Sequence, residues 1–180
     1  DLAGSIRKLL RVTGQVIIKQ EYNASGKGNI GISITEDKEF VGVMKTMTLR
    51  NSHQSHEIAQ HLWATYTNSF SQLLIVEVYY PNQGSYTAQF WIPPDGQAPQ
   101  LSSYSEIRME PRWVGIEIPP HTLTSEQTKR LITYSRWLGR SMQAQGYRGY
   151  LCCDAIITND NRMLFTEINV RPGAETHAYV

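Results

Sequence analysis

Asp154, followed by Glu167-Ile168-Asn169-Val170-Arg171-Pro172, is the stretch on which the reading of this chain turns. Successive side chains of a strand point to opposite faces, so Glu167 and Asn169 project together while Ile168 packs behind them. The turn residues Asn159-Asp160-Asn161 separate two apolar runs, 150–157 and 163–170, which a hairpin would lay side by side. In such a hairpin Asp154 comes alongside and adds a third oxygen. Hard oxygen ligands of this kind suit Mg²⁺, whose shell is normally completed by water and nucleotide phosphates. Arg171, two positions beyond Asn169, offers a planar fork to a phosphoryl oxygen. Any one of Asp154, Glu167 and Arg171 alone reads as a solvated group on an ordinary hairpin; taken together they read as a place where a metal and a phosphate meet.

The elements before this hairpin form an α+β series. Ile6, Leu9 and Leu10 are at helical spacing, and the β-branched run Gln15-Val16-Ile17-Ile18-Lys19 follows Gly14 as a strand. Residues 23–29 are all turn chemistry, and 30–35 alternate like a strand. Ile58, Leu62, Trp63 and Tyr66 define an amphipathic helix over 52–67. It leads into the apolar strand 73–80, whose only carboxylate is Glu77. Pro81-Asn82-Gln83-Gly84 is expected to break that strand, with further strands over 85–92, 102–108 and 113–118. Thr124-Ser125-Glu126-Gln127 fits a capping box that opens a helix lined by Leu131, Tyr134, Leu138 and Met142, with Gly146 at its C-terminal cap.

Composition narrows the function classes. The chain has 180 residues, 41% of them hydrophobic, enough for one generous domain or two small lobes. Lys+Arg number 17 and Asp+Glu 16, so no global field recruits nucleic acid or an acidic membrane. No stretch approaches the roughly 20 apolar residues of a membrane span, and no signal peptide is recognisable; the reading is a cytoplasmic protein. The only cysteines, Cys152 and Cys153, are adjacent, which argues for buried or idle thiols rather than a disulfide framework. The sequon Asn23-Ala24-Ser25 would matter only outside the cell.

Asp154 with Glu167-Ile168-Asn169-Val170-Arg171-Pro172 resembles the metal-binding signature of the ATP-grasp superfamily. The order of the remaining features is similar too: a strand that ends in Lys19, a glycine loop, and an apolar strand ending Ile75-Val76-Glu77. The resemblance implies two α+β subdomains with mainly antiparallel sheets that grip ATP between them, approximately residues 1–80 and 81–180. It implies that Lys19 contacts the α- and β-phosphates, that Ser25, Gly26, Lys27, Gly28 and Asn29 close over the triphosphate, and that Glu77, Val78 and Tyr79 line the adenine pocket. Asp154, Glu167 and Asn169 would hold two Mg²⁺ ions, with Mn²⁺ as a substitute, and Arg171 with Lys19 would act on the transferring phosphoryl group. Glycines let backbone amides approach phosphate, and lysine supplies a point charge. More narrowly, residues 149–155 and 171–177 resemble the peptide ligases of the pheganomycin-biosynthesis type. The implied activity is ATP-dependent joining of a carboxylate to an amine through an acyl phosphate, releasing ADP. Against that family the amino-terminal domain and first strands are missing, and the chain reads as a piece of a larger protein.

Two rival functions share these residues: an ATP-grasp kinase that phosphorylates a hydroxyl, and a non-catalytic ATP-binding regulatory module. Other patterns fail on context. Gly26-Lys27-Gly28-Asn29-Ile30-Gly31 satisfies G-x-G-x-x-G, but a strand follows where a dinucleotide fold needs a helix, and no Walker loop is present. His56 and His61 stand five apart where one helix face needs four, so with His53 they read as a polar face rather than a zinc site. Tyr79, Tyr80, Trp91 and Trp113 lack interleaved basic residues, which favours core packing over base stacking. His177 trails the metal motif, equally suited to holding a loop end and to touching substrate.

Overall fold

The computed structural model describes residues 1–20, 28–67, 73–110 and 113–178. They fall into two compact units, residues 1–81 with 109–113, and residues 82–108 with 114–180.

The first unit begins with helix α1 (Leu2–Thr13), capped by the Asp1 carboxylate, which accepts from the Gly4 N–H, and ended by Gly14 in the left-handed region. Strands β1 (Gln15–Gln20), β2 (Ile30–Ser33) and β3 (Lys45–Thr48) follow, then helix α2 (Gln54–Tyr66) and strand β4 (Leu74–Val78). The sheet order is β3-β2-β1-β4. Strand β1 is antiparallel to both neighbours, and β2 is parallel to β3. Val16 and Ile18 share one face of β1 and pack with Ile6, Leu10, Ile30, Ile32 and Leu62 into a core beneath the helices. Ile17 is on the other face, in a smaller cluster with Phe40, Val43 and Tyr79. The sequence reading missed β3: its four residues are half-exposed and carry no long apolar run.

The second unit carries β5 (Asn82–Ile92), β6 (Gln100–Met109), β7 (Trp113–Glu117), helix α3 (Ser125–Ala144), β8 (Gly149–Thr158), β9 (Met163–Asn169) and a short 3₁₀ helix (Ala174–Ala178). Its sheet order is β7-β6-β5-β8-β9, with β5 antiparallel to β6 and β8, and β8 antiparallel to β9. The capping box forms as expected, with the Thr124 side chain and Gln127 bonding reciprocally. Tyr86, Ala88, Phe90 and Ile92 of β5 join Leu151, Cys153, Ala155 and Ile157 of β8 and Leu131 of α3 in the core. The expected break is present, since β4 ends at Val78, but β5 starts at Asn82 rather than Ser85 and absorbs the irregularity as a register shift between Asn82 and Gly84. Core packing fails for Trp91 and Trp113, which are 36% and 43% exposed. Trp91 alternates with core-facing Phe90 and Ile92 and so points away from the core, against the edge of Tyr150.

Candidate metal and nucleotide site

The second sheet has one oily face and one polar face, and the polar one collects the chemistry. Ladder partners share a face, so Thr87 with Asp154 and Gln89 with Cys152 carry the polar stripe from β5 to β8. It continues to β9, where Glu167 pairs with Asp154 and Asn169 with Cys152. Toward β6 the same face holds Ser105 opposite Thr87 and Ser103 opposite Gln89.

A bulge is what turns Glu167 onto this face. Phe165 pairs with Ala155 and packs with the core beside α3, and two residues later a regular strand would put Glu167 on that same oily side. The register shifts between Asp154 and Ala155, leaving Thr166 as the extra residue. That exchange of faces sets Glu167 opposite Asp154, as bulges beside functional sites often do. The Thr166 hydroxyl donates to the Asp154 carbonyl at 3.3 Å, fastening the bulge.

Asp154, Glu167 and Asn169 therefore come together. The Asn169 amide donates to the Asp154 carboxylate at 3.1 Å, and an Arg171 nitrogen is 3.5 Å from the Asn169 side-chain oxygen. Burial pushes the Asp154 carboxyl up to about 6, with the charges of Glu167 and Glu175 adding to the rise; the Thr87 hydroxyl and the Arg171 guanidinium work against it. Asp154 is thus a half-buried acid whose carboxylate is poorly solvated and faces two other carboxylates. Ile168, expected to pack behind the pair, is only partly covered at 38% exposure. Among the described residues no three His, Cys, Asp or Glu side chains form a metal-holding group by themselves. The donor set here is two carboxylates and an amide oxygen, which fits a cation that takes its remaining ligands from phosphate and water.

Three neighbours escaped the sequence reading as site residues. Gln89 is 1% exposed, and its side-chain carbonyl accepts from the Gly173 N–H and the Thr176 hydroxyl, both at 2.8 Å. Glu175, 2% exposed, accepts weakly from the Cys152 thiol. Thr87 and Gln89 alternate with Tyr86, Ala88 and Phe90, and a polar residue at every second position of a buried strand was the available signal. Both thiols are buried and pushed well up, chiefly by burial, so neither is a nucleophile.

In the first unit Lys19 and Glu77 meet. They lie on adjacent strands, on the sheet face away from the helices, with Lys19 Nζ 2.7 Å from Glu77 Oε2. Tyr79 is buried at the end of that row; its ring packs on Phe40, and its hydroxyl accepts from the Val41 N–H. Its backbone is taken as well, the N–H by Gln15 and the carbonyl by Thr13. Since β4 pairs only with β1 among the described strands, alternation leaves Val78 facing the open edge with its donor and acceptor. Gly28 has φ +83° before β2, and the Asn29 side chain donates to the Gly42 carbonyl. Ser25, Gly26 and Lys27 lie outside the described residues, as does the Asn23 sequon, and the His177 side chain is not described.

No protein-family model and no curated protein sequence matches the chain. Solved structures match in fold. An ADP complex of purK, an N5-carboxyaminoimidazole ribonucleotide synthetase, superposes with a TM-score of 0.65 at 15% identity, covering 96% of this chain and 38% of that one. D-alanyl-alanine synthetase A from Vibrio cholerae gives 0.62 at 14%, covering 95% and 47%. The biotin carboxylase domain of the Hydrogenobacter thermophilus 2-oxoglutarate carboxylase, in complex with MgADP, ADP and bicarbonate, gives 0.65 at 17%, covering 97% and 35%. The chain spans less than half the length of each of these structures. Two α+β units with mainly antiparallel sheets are an ATP-grasp architecture. The chain has the ATP-grasp fold.

Proposed function

We propose that this protein is an ATP- and Mg²⁺-dependent ligase that joins a carboxylate to an amine through an acyl phosphate, releasing ADP. The observation that carries the reading is the convergence of Asp154, Glu167 and Asn169 on one polar sheet face, where two carboxylates and an amide oxygen stand on neighbouring strands. The ATP-grasp fold supports it, since the matched structures include an ADP complex and a MgADP complex.

On this reading residues 1–80 form the nucleotide lobe and 81–180 the metal lobe. Asp154, Glu167 and Asn169 would hold Mg²⁺, which would supply positive charge to neutralise the nucleotide phosphates. Arg171 presents its fork to the γ-phosphoryl oxygens, and Lys19, drawn from Glu77, stabilises the α- and β-phosphates as a point charge. The Val78 backbone offers adenine a donor and an acceptor, with Glu77 and Tyr79 on either side. The segment from Ser25 through Gly26, Lys27 and Gly28 to Asn29 covers the triphosphate and excludes water. A substrate carboxylate oxygen attacks the γ-phosphorus as ADP departs; the amine then attacks the acyl carbon, phosphate leaves, and the amine loses a proton to give the amide. No protein nucleophile takes part.

Calorimetric titration with a non-hydrolysable ATP analogue, with and without Mg²⁺, tests the site on the native protein and on Glu167→Ala. Metal-dependent binding that the substitution abolishes is the expected result. Equal binding with and without Mg²⁺, or by both proteins, removes the metal assignment. Product analysis on carboxylate and amine mixtures then separates an amide with free phosphate from the phosphate ester of a kinase.

A further inference from the structure

Arg171 is exposed and lies beyond the end of β9, so something must fix the turn that carries it. The ladder row Gln89–Cys152–Asn169 crosses three strands on the polar face, and the segment after Arg171 folds back over it. Cys152 Sγ is 3.5 Å from the Arg171 carbonyl oxygen. Gly173 lies so flat on this row that a Cβ there would meet the Glu175 carboxylate at 2.5 Å and Cys152 Sγ at 2.8 Å. The turn closes on itself when the Thr176 N–H donates to the Gly173 carbonyl at 3.3 Å. Its two strong bonds to the sheet both end on one atom, Gln89 Oε1. A backbone N–H can only donate, so the side-chain orientation is settled: the carbonyl, not the amide nitrogen, faces the turn.

We propose that Gln89 is a positioning residue that pins the Arg171–Thr176 turn to the sheet and so aims Arg171 at the phosphoryl group. Its consequence for phosphate rests on the ATP-dependent reading above; the pinning itself does not. Gln89 is well placed for this because β5 lies at the centre of the five-stranded sheet, paired on both sides.

The test uses the full chain with Gln89→Met, which keeps volume and removes the carbonyl. Amide hydrogen exchange should show Gly173 exchanging at least about tenfold faster, with Cys153 and Ala155 in β8 still protected. With Mg²⁺ present, the preference for a non-hydrolysable ATP analogue over ADP should fall about tenfold, and should fall no further when Gln89→Met is added to Arg171→Ala. A residue that only supports the fold would lower the two affinities alike and add to Arg171→Ala. Unchanged Gly173 exchange, or an equal further loss in the Arg171→Ala background, overturns the proposal. If Gln89→Met loses protection throughout β8, Gln89→Leu, a second apolar replacement that removes the carbonyl, takes its place, and unchanged Gly173 exchange in that variant is equally decisive. If the native chain binds no nucleotide, the ATP-dependent reading fails, and the Gly173 exchange rate alone judges the pin.

Discussion

Replacing Asp154 by Asn should stabilise the metal-free protein, and the gain should depend on pH in a defined direction. The Asp154 carboxyl rises from 3.8 to about 6 on folding, through burial first and then the charges of Glu167 and Glu175. Between those values the folded chain holds a proton that the unfolded chain has released. Stability from this group is therefore complete below about pH 4 and is lost as pH rises toward 6, then stays flat. The full difference is on the order of 3 kcal/mol at neutral pH, reduced where solvent screens the two glutamates. Asn cannot ionise, keeps an oxygen toward the Asn169 amide, and has nearly the same volume. Urea denaturation at pH 4, 5, 6 and 7.5, followed by tryptophan fluorescence, should show Asp154→Asn gaining on the native chain steadily and levelling above pH 6. Saturating Mg²⁺ with nucleotide should narrow the gap by stabilising the native chain alone. A gap that stays constant across this range, or that makes Asp154→Asn the weaker protein at pH 7.5, refutes the argument.

Leu131→Ala removes a fully buried side chain of α3 that packs on β5 and β8, and should cost about 2–5 kcal/mol in chemical denaturation. Thr124→Ala breaks the capping box at the start of that helix; a loss of about 1 kcal/mol is expected in the same measurement. Deleting Thr166 abolishes the bulge and forces either Glu167 or Phe165 onto the wrong face, so Mg²⁺-dependent nucleotide binding should disappear, and its retention would show that the bulge does not set the ligands. Cys152 and Cys153, buried and with raised thiol pKa values, should resist a thiol reagent in the native protein and react fully in urea; prompt labelling without denaturant would contradict their placement.

Where the sequence was readable, a local cause was also strong. The Thr124–Gln127 box is two reciprocal bonds within four residues, and it forms. The apolar runs of β1 and β8 are largely buried, and Leu74 and Val76 of β4 pack partly against the first core, so these strands emerged from composition and length alone. Strand β3 has no such cause: Lys45-Thr46-Met47-Thr48 is held by parallel pairing to β2, a tertiary effect with little local signature. The meeting of Asp154, Glu167 and Asn169 was legible because the turn at 159–161 dictates the hairpin that lays them side by side. Gln89 and Thr87 were not, since they reach the site only through the ladder between β5 and β8.

Glu167 shows why even the legible part was incomplete. Period-two alternation correctly groups Glu167 with Asn169, yet the same rule groups both with Phe165, which belongs to the core beneath α3. A strand of uniform pleat could satisfy the core or the site, but not both. One extra residue, Thr166, reverses the pleat between them, so Phe165 contributes to stability while Glu167 faces Asp154. The bulge breaks the local rule at the one point where the fold must give up regularity to bring two like charges together. Burial first, and that juxtaposition after it, raise the Asp154 carboxyl and so weaken the metal-free fold at neutral pH. On the proposed reading a bound cation restores what the acids lose, which is the condition under which a protein keeps such an arrangement against its own stability.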